Sequence, residues 1–340
     1  MDREAAAVKI AKLFSAGPVS FERFMDAALY DPDMGYYSAG IRTVGVRGDF
    51  STSSTLHPVL GEAIAAWLQS LRPSVFAILN VIEVGAGTGA LAKSVLSNFG
   101  WLAGIRLNYH IVEVSGPLKL QQQKLLKSNR VTWHEDMRSA LTACNGNAHI
   151  FSNELVDAFP CRVFVKADNA WRELALELRD GIVIETSLPV PPEEKFSELE
   201  YAFPESQRIE LPLRYQQWLA AWLPGWHSGN MLTIDYGDTF PRLYHRRPTG
   251  TLRAYFHHQR FEGQELYLRF GKQDITADVN FSLLQRWGEA MNLQTVKLQT
   301  QRDFIQQFLA LDKPENDPAL AYLLQQPGPG EAFQVLEQRR

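Results

Sequence analysis

Cysteine, excess basic charge and long apolar runs are all scarce in this 340-residue chain. Cys144 and Cys161 are too few for a disulfide framework, and no zinc-type Cys/His spacing surrounds either one. A net charge of -4 excludes the basic surface with which nucleic-acid binders neutralise phosphates. No apolar run approaches the roughly 20 residues of a membrane-spanning helix. We therefore expect a reducing compartment, a small molecule or a protein as partner, and neither nucleic acid nor membrane.

The first residues also lack a targeting pattern. The segment MDREAAAVKIAKLF carries acidic charges and has neither the basic start nor the apolar core of a signal peptide. Together with the few cysteines, this predicts a soluble, cytoplasmic protein. Hydrophobic residues make up 45% of the chain, the usual share for a globular protein, so we do not expect disorder. The composition indicates no oligomeric state.

The hydrophobic pattern changes near residue 73. Residues 1–72 predict an N-terminal helical segment, with Ser20 as the cap of one helix and a long loop rich in glycine and aromatics before the next. Residues 73–340 begin with short apolar runs that alternate with amphipathic helices, which is typical of a parallel sheet flanked by helices. The sequence therefore predicts an α/β fold with a doubly wound, Rossmann-like sheet.

An insertion interrupts this alternation after the fourth predicted strand. Residues 162–229 contain two alternating runs that turn at Asp180 and Gly181, then a proline-rich stretch and a helix with tryptophans. We expect the insertion and the N-terminal segment to cover a ligand pocket. The sheet should continue at 231–237 and close with a strand at 294–300, with helices at 281–291 and 303–311.

A glycine-rich turn, VIEVGAGTGALA, joins a buried strand to a helix that begins near Ala90. Glycine lets a backbone swing sharply or approach a ligand closely, and the helix N-terminus beyond offers free amides. The spacing also fits the loose dinucleotide pattern, so the turn alone does not separate a nicotinamide cofactor from another adenosine-bearing one. The predicted cofactor-binding residues of this segment are Glu83, Gly85, Ala86, Gly87, Thr88 and Gly89.

Acidic residues close the next two predicted strands. Glu113 ends YHIVEV, where a carboxylate can accept both hydroxyls of an adenosine ribose, and Asp136 follows VTWHE, in position to meet the exocyclic amine of adenine. Glu113 lies 28 residues past Gly85, a spacing that leaves both classes of cofactor open. The alternative for each acid is that it caps the helix that follows.

The fourth predicted strand is followed by SNELVDAFP, at the edge where open parallel sheets bind ligands. Glu154 and Asp157 could hold a cationic guanidinium by bidentate hydrogen bonds and orient one nitrogen, with Asn153 beside them. We predict these three as the catalytic residues that align the acceptor. The alternative is a polar strand end with Asp157 on a solvated helical face.

With these motifs in order, the chain resembles the family of the mitochondrial complex I assembly methyltransferase and its bacterial relatives. The resemblance rests on SFERFMDAALYDPDMGYY, GDFSTS, VIEVGAGTGALA, HIVEVSGPL, SNELVDAFP, WREL, TIDYG, GTLRAY, DITADVNFS and LLQQPGPGEAFQVLEQ. It implies a class I methyltransferase with S-adenosyl-L-methionine as cofactor, direct in-line transfer, and a protein-arginine acceptor as in the mitochondrial case.

The chain departs from the family's pattern at two places. Ser54 and Thr55 stand where the family has Pro and Glu after its GDF-x-T-S motif, and Asn280 replaces a usual acid. An amide can hydrogen-bond but cannot carry negative charge or take a proton. Two alternatives therefore accompany the methyltransferase prediction: an assembly scaffold that binds the cofactor and transfers methyl groups weakly, and an NAD-dependent oxidoreductase.

Other polar and aromatic clusters have simpler interpretations. His245, His257 and His258 have no acid or cysteine partners at ligand spacing, so we predict no metal site. Tryptophans at positions 218, 222 and 226 recur every four residues, which indicates packing along one helical face. Asp235, in TIDYG, either lines the acceptor site or turns the chain.

Overall fold

The computed structural model describes residues 3–40, 57–74, 76–100, 104, 106–127, 130–310, 316–325 and 328–340. The strands are β1 (Val19–Ser20), β2 (Leu79–Val84), β3 (Leu107–Val112), β4 (Val131–His134), β5 (His149–Asn153), β6 (Arg162–Ala167), β7 (Ala170–Arg179), β8 (Ile182–Pro189), β9 (Arg208–Leu211), β10 (Asn230–Asp238), β11 (Arg253–Phe256), β12 (Gln259–Phe261), β13 (Asp274–Thr276), β14 (Val279–Asn280), β15 (Gln294–Thr300) and β16 (Phe333–Arg339). The helices are α1 (Arg3–Leu13), α2 (Phe21–Tyr30), α3 (Val59–Ser70), α4 (Ala90–Ser97), α5 (Gly116–Leu125), α6 (Met137–Ala143), α7 (Leu213–Trp222), α8 (Phe281–Ala290), α9 (Gln301–Phe308), α10 (Pro318–Leu324) and α11 (Pro329–Ala332).

The chain divides into two compact units. The sheet unit comprises Arg42–Leu155, Trp218–Gly237 and Phe281–Arg340, and the insertion unit comprises Met1–Ile41, Val156–Gln217 and Asp238–Asn280. This division differs from the predicted boundaries of 1–72, 73–340 and 162–229. Helix α3 belongs to the sheet unit, because its apolar residues pack into that unit's core. A second insertion, 238–280, was not predicted from the sequence, because strands of two to four residues are too short to show a hydrophobic pattern.

The sheet unit is built on a mostly parallel sheet in the order β15-β16-β10-β5-β2-β3-β4. Strands β10, β5, β2, β3 and β4 run parallel, and β16 pairs antiparallel with both β10 and β15. The predicted doubly wound α/β sheet is confirmed, including its strands at 231–237 and 294–300. Strand order reverses between β2 and β5, which is where open α/β sheets bind ligands beyond their carboxyl ends.

The core of the sheet unit follows from nearly continuous apolar strands. β2 reads LNVIEV, the composition expected of a parallel strand covered on both faces. Helix α3 contributes eight buried residues to this unit, among them Trp67, which is 1% exposed. Within the described ranges, none of the helices combines the length and the apolar character that crossing a bilayer requires.

The insertion unit contains antiparallel sheets. One has the order β1-β7-β6-β9, with β8 on β7, and another has the order β12-β11-β13. Asp180 and Gly181 both have positive φ, 51° and 79°, as a two-residue hairpin turn between β7 and β8 requires. Ser20 caps α2, since its hydroxyl accepts a hydrogen bond from the Arg23 amide at 3.3 Å. Both features match the sequence-based prediction.

Candidate active site

The glycine turn lies at the switch point of the sheet, between the end of β2 and the start of α4. Gly85, Gly87 and Gly89 have φ of 68°, 53° and 82°, the left-handed region that favours glycine. The amide of Gly85 donates to the carbonyl of Val112, so the turn starts in register with β3. The helix α4 then begins at Ala90, whose amide donates to Thr88 Oγ1 at 3.3 Å.

The three glycines have different surroundings. A side chain at Gly85 would meet Leu155 Cδ1 at 3.0 Å, and one at Gly89 would meet Gln122 Cγ at 3.3 Å. At Gly87, no atom of the described chain lies within 4 Å of an added Cβ. Gly85 and Gly89 therefore let protein elements pack closely, while Gly87 borders open space. A cofactor that needs contact with bare backbone fits at Gly87.

Glu113 follows β3 and is 6% exposed. Its Oε1 accepts from the Ser115 amide at 2.9 Å, and its Oε2 accepts from Gln122 Nε2 at 2.9 Å. Burial raises the pKa of this carboxyl, and the two donors act in the opposite direction. Each carboxylate oxygen has a further lone pair, so two ribose hydroxyls could still be accepted. That ribose contact stays a prediction.

Glu83 lies inside the sheet, on β2, and is 2% exposed. The hydroxyl of Tyr109 donates to its Oε2 at 2.6 Å. Burial raises the pKa of Glu83 to about 8, with the Tyr109 hydrogen bond opposing the shift. Glu83 therefore supports the base of the glycine turn through β3, and its direct contact with a cofactor stays a prediction.

Asp136 is the N-cap of α6. Its Oδ1 accepts from the Ser139 amide at 2.7 Å, and the Ser139 hydrogen bonds are the main reason that the pKa of Asp136 is lowered. The capping role, which the sequence left open, is confirmed. The contact of Asp136 with the adenine amine stays a prediction.

The turn after β5 lies beside the glycine turn. Ser152 pairs with Val84 on β2, so β5 ends at Asn153 near Gly85 and the chain leaves the sheet at Glu154. Glu154 has φ 54°, its amide donates to the Ile234 carbonyl at 2.9 Å, and its Oε1 accepts from Asn153 Nδ2 at 3.0 Å. The carboxylate of Glu154 is therefore oriented by its own strand.

Asp235 fixes this turn from β10. It is fully buried, and its Oδ2 accepts from the Leu155 amide at 3.2 Å while its Oδ1 accepts from the Tyr236 amide at 3.0 Å. Of the two roles considered for Asp235, the structure therefore supports the one that shapes the chain. A Cβ added at Gly85 would lie 3.0 Å from Leu155 Cδ1, so this turn packs close to the glycine turn.

Asp157 belongs to the insertion unit, whereas Glu154 and Asn153 belong to the sheet unit. Asp157 is 5% exposed and residues 154–159 are not helical, so the alternative of a solvated helical face is wrong. Its carbonyl accepts from the Ala277 amide at 3.0 Å. A joint clamp by Glu154 and Asp157 stays a prediction. Asn280 is buried, and Ser54 and Thr55 lie outside the described residues.

The remaining candidates have structural roles. His257 and His258, with φ of 49° and 62°, form the turn between β11 and β12. No group of three or more His, Cys, Asp or Glu is placed to hold a metal in the described part of the chain. Trp222 and Trp226 are buried, which confirms packing, although α7 ends at Trp222 and Trp226 lies beyond it.

Sequence reasoning missed Gln122 and Tyr109. Each is fully buried and hydrogen-bonded to a predicted cofactor acid, Gln122 to Glu113 and Tyr109 to Glu83. Helix α5 reads GPLKLQQQKL, and nothing in that polar pattern distinguishes Gln122 from its neighbours. Tyr109 stands in an apolar strand where an aromatic residue is ordinary core.

Comparison with known proteins agrees with this geometry. The profile of a family described as "Putative S-adenosyl-L-methionine-dependent methyltransferase" matches residues 59–299. The chain belongs to this methyltransferase family. The match spans the glycine turn, Glu113, Asp136 and the turn after β5. The chain is therefore an S-adenosyl-L-methionine-dependent methyltransferase with a class I fold.

Similar proteins support the family assignment. A crystal structure of a protein from Burkholderia thailandensis, bound to S-adenosyl-homocysteine, superposes with a TM-score of 0.84 at 28% identity, over 99% of this chain and 92% of that one. "Protein arginine methyltransferase NDUFAF7, mitochondrial" of Danio rerio is 26% identical over 81% of this chain and 69% of its own length. The human protein of that name is 24% identical over 85% of this chain and 70% of its own length. These findings contradict the nicotinamide alternative.

Proposed function

We propose that this methyltransferase acts on a protein arginine, by direct in-line transfer to a guanidinium nitrogen. The observation that carries the proposal is the position of Glu154. Its turn leaves β5 beside β2, and Leu155 comes so close to the glycine turn that a Cβ added at Gly85 would lie 3.0 Å from Leu155 Cδ1. A carboxylate there stands next to the cofactor turn, where an acceptor must be held.

The chemistry of Glu154 suits a cationic acceptor. A carboxylate holds a guanidinium by paired, charge-assisted hydrogen bonds, which fix the plane of the group and the direction of one nitrogen. Asn153 donates to Oε1 and so limits the rotation of the carboxylate. In-line transfer requires mainly this kind of positioning. The cofactor supplies the methyl group; the nitrogen that receives it then loses a proton.

Strand β10 holds the backbone of Glu154 in place. A left-handed conformation costs a residue other than glycine about 1–2 kcal/mol. Here the conformation is held by the hydrogen bonds of the Glu154 amide to Ile234 and of the Leu155 amide to Asp235. The names of the similar proteins, protein arginine methyltransferases, point to the same acceptor class.

The test compares Glu154→Gln with Glu193→Gln, which changes an exposed acid of the insertion unit. With labelled cofactor and a lysate from cells that lack this protein, wild type should label an acceptor at arginine. Glu154→Gln should reduce labelling by roughly 100-fold while S-adenosylhomocysteine affinity stays within about threefold, because positioning is the main catalytic contribution. Glu193→Gln should match wild type. Loss of S-adenosylhomocysteine binding in Glu154→Gln would instead assign this carboxylate to the cofactor site or the fold.

The second candidate function is a scaffold that binds the cofactor and transfers methyl groups weakly. It is favoured by Asn280, whose amide replaces a family acid and is 1% exposed. Asn280→Asp should raise arginine labelling if the missing acid limits catalysis. If wild type binds S-adenosylhomocysteine but both proteins label nothing in a complete lysate, the scaffold is the better account.

We also propose that the protein works in the cytoplasm and takes a protein acceptor. The support for the location is the low cysteine content, since Cys144 and Cys161 are the only two cysteines and few cysteines are typical of a reducing compartment. The similar proteins from animals are named as mitochondrial, so the two locations differ. Cell fractionation with an antibody to this chain would decide, and recovery with a membrane or an organelle would contradict the proposal.

A further inference from the structure

Gln122 uses its whole side-chain amide in hydrogen bonds beside the glycine turn. It lies on α5, is fully buried, and faces into the sheet unit from a helix whose other glutamines, Gln121 and Gln123, are half-buried and exposed. A buried amide is costly unless its groups are hydrogen-bonded. Helix α5 therefore places a polar group in the core for a specific set of partners.

Those partners connect three strand ends. Gln122 Nε2 donates to the carbonyl of Gly87 and to Oε2 of Glu113, both at 2.9 Å. Its Oε1 accepts from Trp133 Nε1, on β4, at 3.0 Å. Both N–H groups and the carbonyl of the amide are thus used. One side chain links the glycine turn after β2, the acid after β3 and the fourth strand of the sheet.

The absence of a side chain at Gly89 permits this arrangement. A Cβ at Gly89 would lie 3.3 Å from Gln122 Cγ and 3.5 Å from Gln122 Cα. The third glycine of the turn therefore admits α5, while Gly87 borders the open space. Neither a glutamate nor an aliphatic residue of this length replaces glutamine here, because an ionised glutamate cannot donate a hydrogen bond and an aliphatic side chain can neither donate nor accept one.

We propose that Gln122 is a positioning residue for the cofactor. It holds the carboxylate of Glu113 and the Gly87 peptide in fixed relative positions, so that the ribose and the part of the cofactor over the glycine turn meet preorganised groups. Preorganisation of this kind raises affinity, since the groups need not be ordered on binding. The proposal rests on the predicted ribose contact of Glu113 and is independent of the arginine acceptor.

The test is the pH dependence of S-adenosylhomocysteine binding by Gln122→Glu, with Gln123→Glu as the matched control on the same helix. The new carboxylate stands within hydrogen-bonding distance of Glu113 Oε2, and two like charges there raise the pKa of the pair. At pH 8.5 affinity should fall roughly 10- to 100-fold, the range for losing charge-assisted hydrogen bonds. At pH 6 the two carboxyl groups share a proton that can form a hydrogen bond between them. The affinity of Gln122→Glu should therefore be several-fold higher at pH 6 than at pH 8.5.

Wild type should show no such gain on acidification, because burial already raises the pKa of Glu113 and a lower pH protonates part of it. Gln123→Glu should follow wild type. If both variants bind as wild type does and Gln122→Glu only lowers the melting temperature, Gln122 is merely structural and the proposal fails. Should Gln122→Glu not fold at pH 8.5, Gln122→Met decides at that pH: binding roughly 10-fold weaker than wild type supports the proposal, and wild-type affinity overturns it.

Discussion

Gly87→Ala tests whether the glycine turn binds the cofactor. A second variant, Gly181→Ala, serves as its control because it should cost the same backbone strain at a position outside the turn. Gly87 and Gly181 both have positive φ, 53° and 79°, and neither has an atom of the described chain within 4 Å of an added Cβ. An alanine at either position must adopt a left-handed backbone, which costs about 1–2 kcal/mol. We therefore expect similar losses in the free energy of unfolding from the two variants.

Their binding should differ. Gly181 lies at the hairpin turn between β7 and β8, whereas the open space at Gly87 is where we expect the cofactor to approach the backbone. By calorimetry, Gly87→Ala should bind S-adenosylhomocysteine at least about 10-fold more weakly, a loss of about 1.4 kcal/mol or more, and Gly181→Ala should bind within about twofold of wild type. If Gly87→Ala is destabilised like Gly181→Ala but keeps wild-type affinity, the space at Gly87 is not the cofactor site.

The remaining predictions concern the two buried acids. Glu113→Ala should weaken S-adenosylhomocysteine binding by about 1.5–3 kcal/mol, the scale of charge-assisted hydrogen bonds. An unchanged dissociation constant would leave Glu113 only its structural hydrogen bonds from the Ser115 amide and Gln122. Because the folded-state pKa of Glu83, about 8, lies above its unfolded value near 4.5, its contribution to stability is full below about pH 4.5 and is lost as the pH rises toward 8. Urea titrations give the free energy of unfolding of wild type and of Glu83→Gln. The difference, wild type minus variant, should fall by up to about 1.4 kcal/mol for each unit of rising pH. A difference that stays constant from pH 5 to 8 would contradict the burial argument.

The sequence predicted the sheet well because its signals are local. A continuous apolar run such as LNVIEV, followed by glycines and a helix, can hardly adopt another arrangement. The cap at Ser20 and the turn at Asp180 and Gly181 also depend on near neighbours. The boundaries of the units depend on which segments pack together over long sequence separations, so the predicted end of the N-terminal segment at residue 72 differs from the observed division.

The site was predictable only in part for the same reason. The glycine turn and Glu113 have recognisable positions after strands, but the partners of the acids are set by tertiary packing. Gln122 reaches Gly87 across 35 residues and Tyr109 reaches Glu83 across 26. Asp235 fixes the Leu155 amide from 80 residues away. Contacts between residues so far apart in the sequence leave no pattern that a single sequence can show.

Calorimetric titration of the wild-type protein with S-adenosylhomocysteine and, separately, with NADH tests the central claim most directly. The geometry of the glycine turn, Gln122 and Glu113, together with the family assignment, predicts one S-adenosylhomocysteine bound per chain and no measurable binding of NADH. Binding of NADH without S-adenosylhomocysteine would contradict the account.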